Sequence, residues 1–150
     1  GFDCIADDFV PVAAQSQEIY SFPAAISVKK TSLDTLLPFY PELSDSKEYD
    51  FKVAQKIVRY LKPNNNDFSS HLPCKGLVFI KYIKDAPLSC EKIDKITAFQ
   101  KLVPDSWLSP IQENAAIFLD WFDSLDCFKL TYSNNTEMVA QVSKLFRDEL

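Results

Sequence analysis

Two adjacent aspartates, Asp7 and Asp8, stand inside the otherwise apolar stretch "CIADDFVPV". Side chains alternate across a β-strand, so neighbouring carboxylates at a strand end point to opposite sides and can divide two tasks. One could hold Mg²⁺, directly or through water, and the other could accept a proton from an attacking hydroxyl. Phosphoryl transfer leaves these two tasks to the protein once the phosphates are bound. The alternative is a solvated turn after a strand, and the pair by itself leaves both open.

Cationic side chains could neutralise a phosphate beside such a site. Lys29 and Lys30 are adjacent, and the alternative for them is a solvated strand end. Arg59 interrupts the apolar run "KIVRYL", so its guanidinium must reach an anion or water. A functional anion site and a structural salt bridge are both open for Arg59. His71, the single histidine, lies in a polar stretch and is expected to be a surface residue.

Glycine is scarce, and this limits the nucleotide sites that the chain can build. The two glycines are Gly1 and Gly76. A P-loop needs G-x-x-x-x-G-K-[ST] and a Rossmann turn needs G-x-G-x-x-G, so the sequence contains neither motif. A nucleotide site built wholly from this chain would therefore lack a glycine-rich loop around the phosphates.

Composition excludes several other classes of function. The net charge of −5 and the absence of a basic cluster argue against nucleic acid or an anionic membrane as the main partner. The longest apolar runs are shorter than the roughly 20 residues of a membrane-spanning helix. The acidic start lacks the basic segment of a signal peptide. The four cysteines are scattered without a CxxC pair, which predicts reduced thiols, no zinc site and a cytoplasmic location.

The predicted elements place strands mainly in the first half and helices mainly in the second. Strands are expected at 2–12, with the acidic pair near its end, at 18–29 with a break at Pro23, and at 56–61, 74–83 and 127–132. The strand at 74–83 is apolar on both faces, which favours a central position in the sheet. A turn with a short helix is expected within 31–43.

Three longer helices are expected from periodicity and capping residues. The first runs from about Cys90 to Val103 with Ser89 as N-cap. The second runs from Pro110 to about Ser124, with Ser109 and Gln112 as a capping box, and the last runs from 134 to about 146. We expect one domain over 1–150, of α/β class with α+β as the alternative, in which a mixed sheet carries helices concentrated in the C-terminal half.

The stretches "GFDCIADDFVPV" and "YSFPAAISVKK" resemble the HPr serine kinase/phosphorylase group and the broader HPr-kinase-like proteins. "VRYLKP", "KGLVFIKY" and the ending around "FKLTY" are also similar to these proteins. The resemblance implies part of the phosphoenolpyruvate-carboxykinase type of nucleotide-binding fold. It also implies that Asp7 and Asp8 match the family's acidic pair, which binds magnesium and assists proton transfer, and that Lys29 matches the lysine of its "isLK" segment. Ala24 stands where relatives often carry arginine.

In that family a P-loop precedes the acidic strand, and this sequence has none. The resemblance therefore implies the C-terminal part of a catalytic domain that is inactive alone. With the missing P-loop segment, the full-length form would bind Mg²⁺ and ATP, using Lys29 and Arg59 toward phosphate. The expected partner of this chain is that missing segment or another copy of the chain. It would phosphorylate a serine or another hydroxyl on a peptide, a protein or a small molecule. The alternative is a non-catalytic, degenerate interaction module of the same family.

Overall fold

A computed structural model describes residues 4–63 and 69–148. This part of the chain is of mixed α/β class, with eight strands in three small sheets and four α-helices. The strands are β1 (Glu18–Tyr20), β2 (Ile26–Lys29), β3 (Tyr49–Phe51), β4 (Lys56–Leu61), β5 (His71–Pro73), β6 (Gly76–Tyr82), β7 (Ser89–Lys92) and β8 (Asp126–Tyr132). The α-helices are α1 (Leu33–Leu36), α2 (Lys95–Leu102), α3 (Gln112–Ser124) and α4 (Asn135–Asp148).

The chain divides into two compact units. Unit 1 comprises Gly1–Ala13 and Glu18–Leu72, and unit 2 comprises Ala14–Gln17 and Pro73–Leu150. The expected single domain over 1–150 stays a prediction. The longer helices α2, α3 and α4 all belong to unit 2, as the sequence predicted for the C-terminal half. No helix in the described ranges is long and apolar enough to cross a membrane.

Unit 1 is built on an antiparallel sheet in the order β2–β4–β3. Its core lies on one face, where Val28 and Leu61 pack with the fully buried Leu43. Partly buried side chains from α1 and its flanks complete this cluster: Leu33, Leu36, Leu37 and Tyr40. The predicted interruption at Pro23 is confirmed, because Pro23 lies between the end of β1 and the start of β2. The short helix predicted within 31–43 is α1.

The predicted strand over 2–12 is wrong for its described part. Residues 4–12 carry two isolated bridges, Ala6 with Phe22 in parallel and Val12 with Ile19 antiparallel. Asp7 and Asp8 form a bend between them. Two adjacent carboxylates are costly to bury, so the chain turns them outward, and Pro11 has no N–H to extend a ladder.

Unit 2 contains the mixed sheet, in the order β6–β8–β7. β6 is parallel to β8 and β7 is antiparallel to it. The predicted central position of 74–83 is wrong, because within the described residues β6 pairs with β8 alone. The central strand is β8, where Leu130 is fully buried while Ile80 of β6 is 52% exposed. Apolar residues on both faces of a strand therefore did not show whether β6 or β8 is the central strand of this sheet.

The helix predicted from Cys90 begins later, and its predicted cap is a strand residue. Ser89 opens β7, and α2 begins at Lys95. Asp94 is the actual N-cap, since its carboxylate accepts the backbone N–H of Thr97 at 2.9 Å. The residues Glu91 and Lys92 instead pair with β8, through ion pairs to Lys129 at 3.1 Å and Asp126 at 2.5 Å.

The other two helices are confirmed with small changes at their ends. α3 begins at Gln112, and Ser109 Oγ accepts the N–H of Ile111 at 3.4 Å in place of the predicted capping box. Asn134 caps α4 as its sequence indicated, because its Oδ1 accepts the N–H of Thr136 at 2.8 Å. α2 and α3 cover one face of β8 through a core of Ala98, Trp121, Phe122, Leu125 and Cys127.

Candidate functional site

The acidic pair lies at an exposed turn that is fixed at both ends against the stretch 20–22. On one side, Phe22 N–H donates to the carbonyl of Ile5 at 2.7 Å, and on the other Tyr20 N–H donates to the carbonyl of Pro11 at 2.9 Å. Asp7 and Asp8 between these anchors are both solvent-exposed. Their carboxylates are therefore accessible to a cation or to a partner molecule.

An aromatic contact holds the two halves of this arrangement together. The rings of Phe9 and Phe22 meet edge to face with 5.5 Å between their centroids. Ser21 Oγ adds a hydrogen bond to the carbonyl of Ile5 at 3.3 Å. The acidic pair thus lies beside the start of the stretch "FPAAISVKK", although the two are separated in sequence.

The donor set for a metal is small. Asp7 and Asp8 supply carboxylate oxygens, the ligands that Mg²⁺ prefers, and water commonly completes its octahedral shell. Within residues 4–63 and 69–148, no group of three or more His, Cys, Asp or Glu side chains is arranged to hold a metal ion. A Mg²⁺ ion at this turn would therefore have one or two carboxylates as its side-chain ligands, and water or substrate phosphate would have to supply the rest of its shell.

Lys29 ends β2 and is exposed. It lies opposite Val58 in the sheet, on the face that points away from the core of unit 1. In the described structure Lys29 forms no ion pair with Asp7 or Asp8. The structure therefore places Lys29 and the acidic pair at the surface of unit 1 without bringing them into contact.

Arg59 is bound by the turn that follows α1. Its Nη1 donates to the carbonyls of Leu43, Ser44 and Ser46 at 2.7, 2.8 and 2.8 Å. Its Nη2 lies 3.6 Å from a carboxylate oxygen of Glu48. These contacts give Arg59 a structural role within unit 1. Its role toward phosphate stays a prediction. A shallow depression beside it is lined by Val28, Lys30, Leu33, Glu48, Ile57, Val58 and Arg59.

His71 is a surface residue, as predicted. Its Nδ1 lies 3.0 Å from a carboxylate oxygen of Glu18, and half of its side chain is exposed. Its ring stacks on Tyr20 with 5.4 Å between centroids. These contacts join β1 to β5, so a structural role accounts for His71.

One surface was missed at the sequence level, and we name it the lysine–aromatic face. It is the outer face of the unit 1 sheet and consists of Lys29, Lys47, Tyr49, Phe51, Lys56 and Tyr60. Alternation within "YDF" and "KIVRYL" gave a partial signal, since every second residue shares a face. The sequence did not show which strands are neighbours, and that pairing is what collects the six side chains.

Lys95 was also missed, and it holds two helices together. Its Nζ donates to the carbonyls of Phe122 at 3.0 Å and Asp123 at 2.6 Å, and also to that of Leu125. A cation at the carboxyl end of α3 is favourable because the last carbonyls of a helix lack partners and carry partial negative charge. Lys95 therefore fixes the start of α2 against the end of α3.

Two cysteines of unit 2, the buried Cys127 and the partly buried Cys74, are poor nucleophiles. Burial raises the pKa of the Cys74 thiol, and the nearby Cys127 raises it further. Burial also raises the pKa of Cys127, against a smaller opposite effect from the cation of Lys95. The thiolate is the reactive form, so neither residue is prepared for covalent catalysis.

Comparison with known proteins found no matching family model, no matching curated protein and no matching solved structure.

Proposed function

We propose that the chain is the C-terminal part of an HPr-kinase-like, ATP-dependent phosphotransferase and is inactive alone. The parallel bridge between Ala6 and Phe22 supports this proposal, because it lies between the two stretches that carry the resemblance. The acidic pair therefore lies beside "FPAAISVKK", as is needed if both stretches contribute to one site. The cytoplasm is the proposed location, in keeping with four cysteines that are all free thiols.

In the proposed reaction, one of Asp7 and Asp8 holds Mg²⁺ and the other accepts the proton of the acceptor hydroxyl. When bound, Mg²⁺ neutralises charge on the ATP phosphates. Lys29 stabilises phosphate charge from the end of β2. Arg59 can contribute only through Nη2 and by giving up Glu48, since Nη1 is held by three carbonyls. The acceptor is a serine or another hydroxyl of a peptide, a protein or a small molecule.

The phosphate-binding loop must come from outside these 150 residues, because two isolated glycines cannot form it. In the proposal the loop belongs to a P-loop segment of a longer form. Another copy of the chain has the same two glycines, so it could be a partner but could not supply the loop. Calorimetric titration of the isolated chain with Mg-ATP tests this point. We expect binding weaker than about 10 μM, or about −7 kcal/mol, and tighter binding would contradict the claim that the chain lacks a nucleotide site of its own.

The acidic pair is tested in a form that includes a P-loop. Asp7→Asn and Asp8→Asn should each lower the rate of phosphotransfer by about 100-fold or more, because each removes a metal ligand or a general base. Asp45→Asn, an exposed aspartate between Ser44 and Ser46, is the matched control and should leave the rate unchanged. Phosphotransfer that survives both substitutions would refute the enzymatic proposal.

A non-catalytic interaction module is the second candidate, and the exposed lysine–aromatic face favours it. Three lysines and three aromatic rings at the surface are suited to bind a partner without any metal or nucleotide. In this case Asp7→Asn and Asp8→Asn would raise stability, by relieving repulsion between adjacent carboxylates, and would leave partner binding intact. Thermal melting together with a binding assay separates the two candidates.

A further inference from the structure

The outer face of the unit 1 sheet gathers cations and aromatic rings from three strands. Across it, Lys29 and Tyr49 both lie opposite Val58, and Phe51 lies opposite Lys56. Residues directly opposite in an antiparallel sheet project on the same side. Strand spacing of about 4.8 Å and a two-residue rise of about 6.8 Å give the patch dimensions of roughly 10 by 14 Å.

The three rings of this face are exposed, and two of them, Tyr49 and Tyr60, contact each other. Phe51 is 47% exposed, and Tyr49 and Tyr60 are each 39% exposed. The two tyrosine rings meet edge to face with 5.4 Å between centroids, and Lys47 Nζ lies 4.9 Å from the centroid of Tyr49. A fixed aromatic surface loses little side-chain entropy when a ligand covers it.

The charge on this face is opposite in sign to that of the whole chain. The strand residues on this side include Lys29 and Lys56 and no carboxylate. Asp50 of β3 projects to the opposite side by alternation. Lys47, above Tyr49, adds a third cation. A local cluster of three cations thus lies on a chain of net charge −5.

We propose that the lysine–aromatic face binds an extended acidic segment of a partner protein, in which aromatic or apolar residues are interspersed among carboxylates. Carboxylates would pair with Lys29, Lys47 and Lys56, and apolar side chains would cover the rings of Phe51 and Tyr60. β3 is an edge strand of its sheet, so an extended segment can approach along it. This inference goes beyond phosphotransfer and does not depend on it.

Charge favours a short acidic peptide over nucleic acid as the occupant. A nucleic acid carries charge along its whole length, and the remaining negative surface of this chain repels it. A peptide needs only the few carboxylates that three lysines can match. Binding should weaken as salt increases, because the contacts are exposed and screened beyond about 10 Å at 0.1 M salt.

The experiment measures fluorescence anisotropy with the whole 150-residue chain. The probe is a dye-labelled peptide of about nine residues, which in extended form crosses a patch of about 14 Å. It has tyrosine at every third position and glutamate elsewhere. A second peptide has glutamine in place of glutamate, and a single-stranded oligothymidylate of about ten nucleotides is the competing polyanion.

Matched variants test whether the probe binds at this face. Lys56→Glu should weaken binding of the glutamate peptide by about fivefold to tenfold, since it removes one attraction and adds one repulsion. Phe51→Ala should weaken it by about threefold or more through lost apolar contact. Lys30→Glu and Phe39→Ala are the controls, because both residues are exposed and lie outside the lysine–aromatic face. Each control should stay within about twofold of the unmodified chain.

Three results would overturn the proposal. The first is equal binding of the glutamate and glutamine peptides, or no binding of either at about 1 mM, a weak affinity of about −4 kcal/mol. The second is tighter binding of the oligothymidylate, which would make the face a nucleic-acid site. The third is peptide binding that the two controls weaken as much as Lys56→Glu and Phe51→Ala do. None of these results bears on phosphotransfer, which does not require this peptide.

Discussion

Replacing Arg59 with methionine tests whether this residue is a structural clamp. Methionine keeps an unbranched apolar stem and removes all the N–H donors of the guanidinium. In the structure Nη1 serves the carbonyls of Leu43, Ser44 and Ser46. Those carbonyls belong to the turn that carries the fully buried Leu43, so their release should loosen the core of unit 1.

The expected loss of stability depends on the number of N–H hydrogens that Nη1 can donate, not on the number of carbonyls around it. Nη1 carries two hydrogens, so its three carbonyl contacts amount to about two full hydrogen bonds. At about 1.5 kcal/mol for each bond to a charged group, their loss costs about 3 kcal/mol. The carbonyl of Ser44 is exposed and can be rehydrated, which lowers the expected loss to about 2 kcal/mol. The pair with Glu48 is long and partly exposed, so it adds little.

Thermal unfolding monitored by circular dichroism measures this loss. For a chain of this length, about 2 kcal/mol corresponds to a decrease in Tm of about 6 °C. Arg59→Lys should lose about half as much, because an ammonium can still reach one or two carbonyls. Arg147→Met is the control, since the exposed bond of Arg147 to Ser143 lies within α4, and it should change Tm by less than about 1 °C. If Arg59→Met melts like this control, the clamp interpretation is wrong.

Three further predictions concern Lys95 and Asp94 of unit 2 and the cysteines of both units. Lys95→Met should destabilise the chain by about 2 kcal/mol in urea unfolding, since it removes the cation at the end of α3, and the exposed Lys101→Met should not. Hydrogen bonds from Thr97 lower the pKa of Asp94. The ionised carboxylate of Asp94 therefore stabilises the fold fully above about pH 4, and this stabilisation is lost as pH falls through the lowered pKa. Asp94→Asn should flatten the dependence of Tm on pH below about pH 4. A thiol reagent at neutral pH should modify the exposed Cys4 first and the buried Cys127 only on unfolding, as read by mass spectrometry, and equal rates would contradict the burial.

Strands and helices with strong local patterns could be predicted from the sequence. "KIVRYL" became β4, and the helix ending at Ser124 and the helix capped by Asn134 were found within about two residues of their bounds. The errors fell where a local pattern suits two structures. The pattern of "SCEK" after Pro87 is typical of a capped helix start, yet this segment pairs with β8. Ion pairs to Asp126 and Lys129 stabilise the strand pairing.

For the candidate site, the sequence supplied residue types but not their neighbours. Asp7 and Asp8 were identified from their chemistry, while their position in an exposed bend depends on bridges to Phe22 and Ile19 that no local pattern encodes. Arg59 illustrates the same limit. Its apolar context required an anion or water, and the fold supplied three backbone carbonyls together with the carboxylate of Glu48.

The sequence by itself determined the scarcity of glycine, and with it the lack of a phosphate-binding loop in this chain. It also determined the mixed α/β class, since apolar periodicity is a local property of a segment. Only the tertiary structure decided that β8 is central and that lysines and rings from three strands share one face. Strand pairing decides both, because it brings together residues that are distant in the chain, and overall charge says nothing about how charges are grouped on a surface.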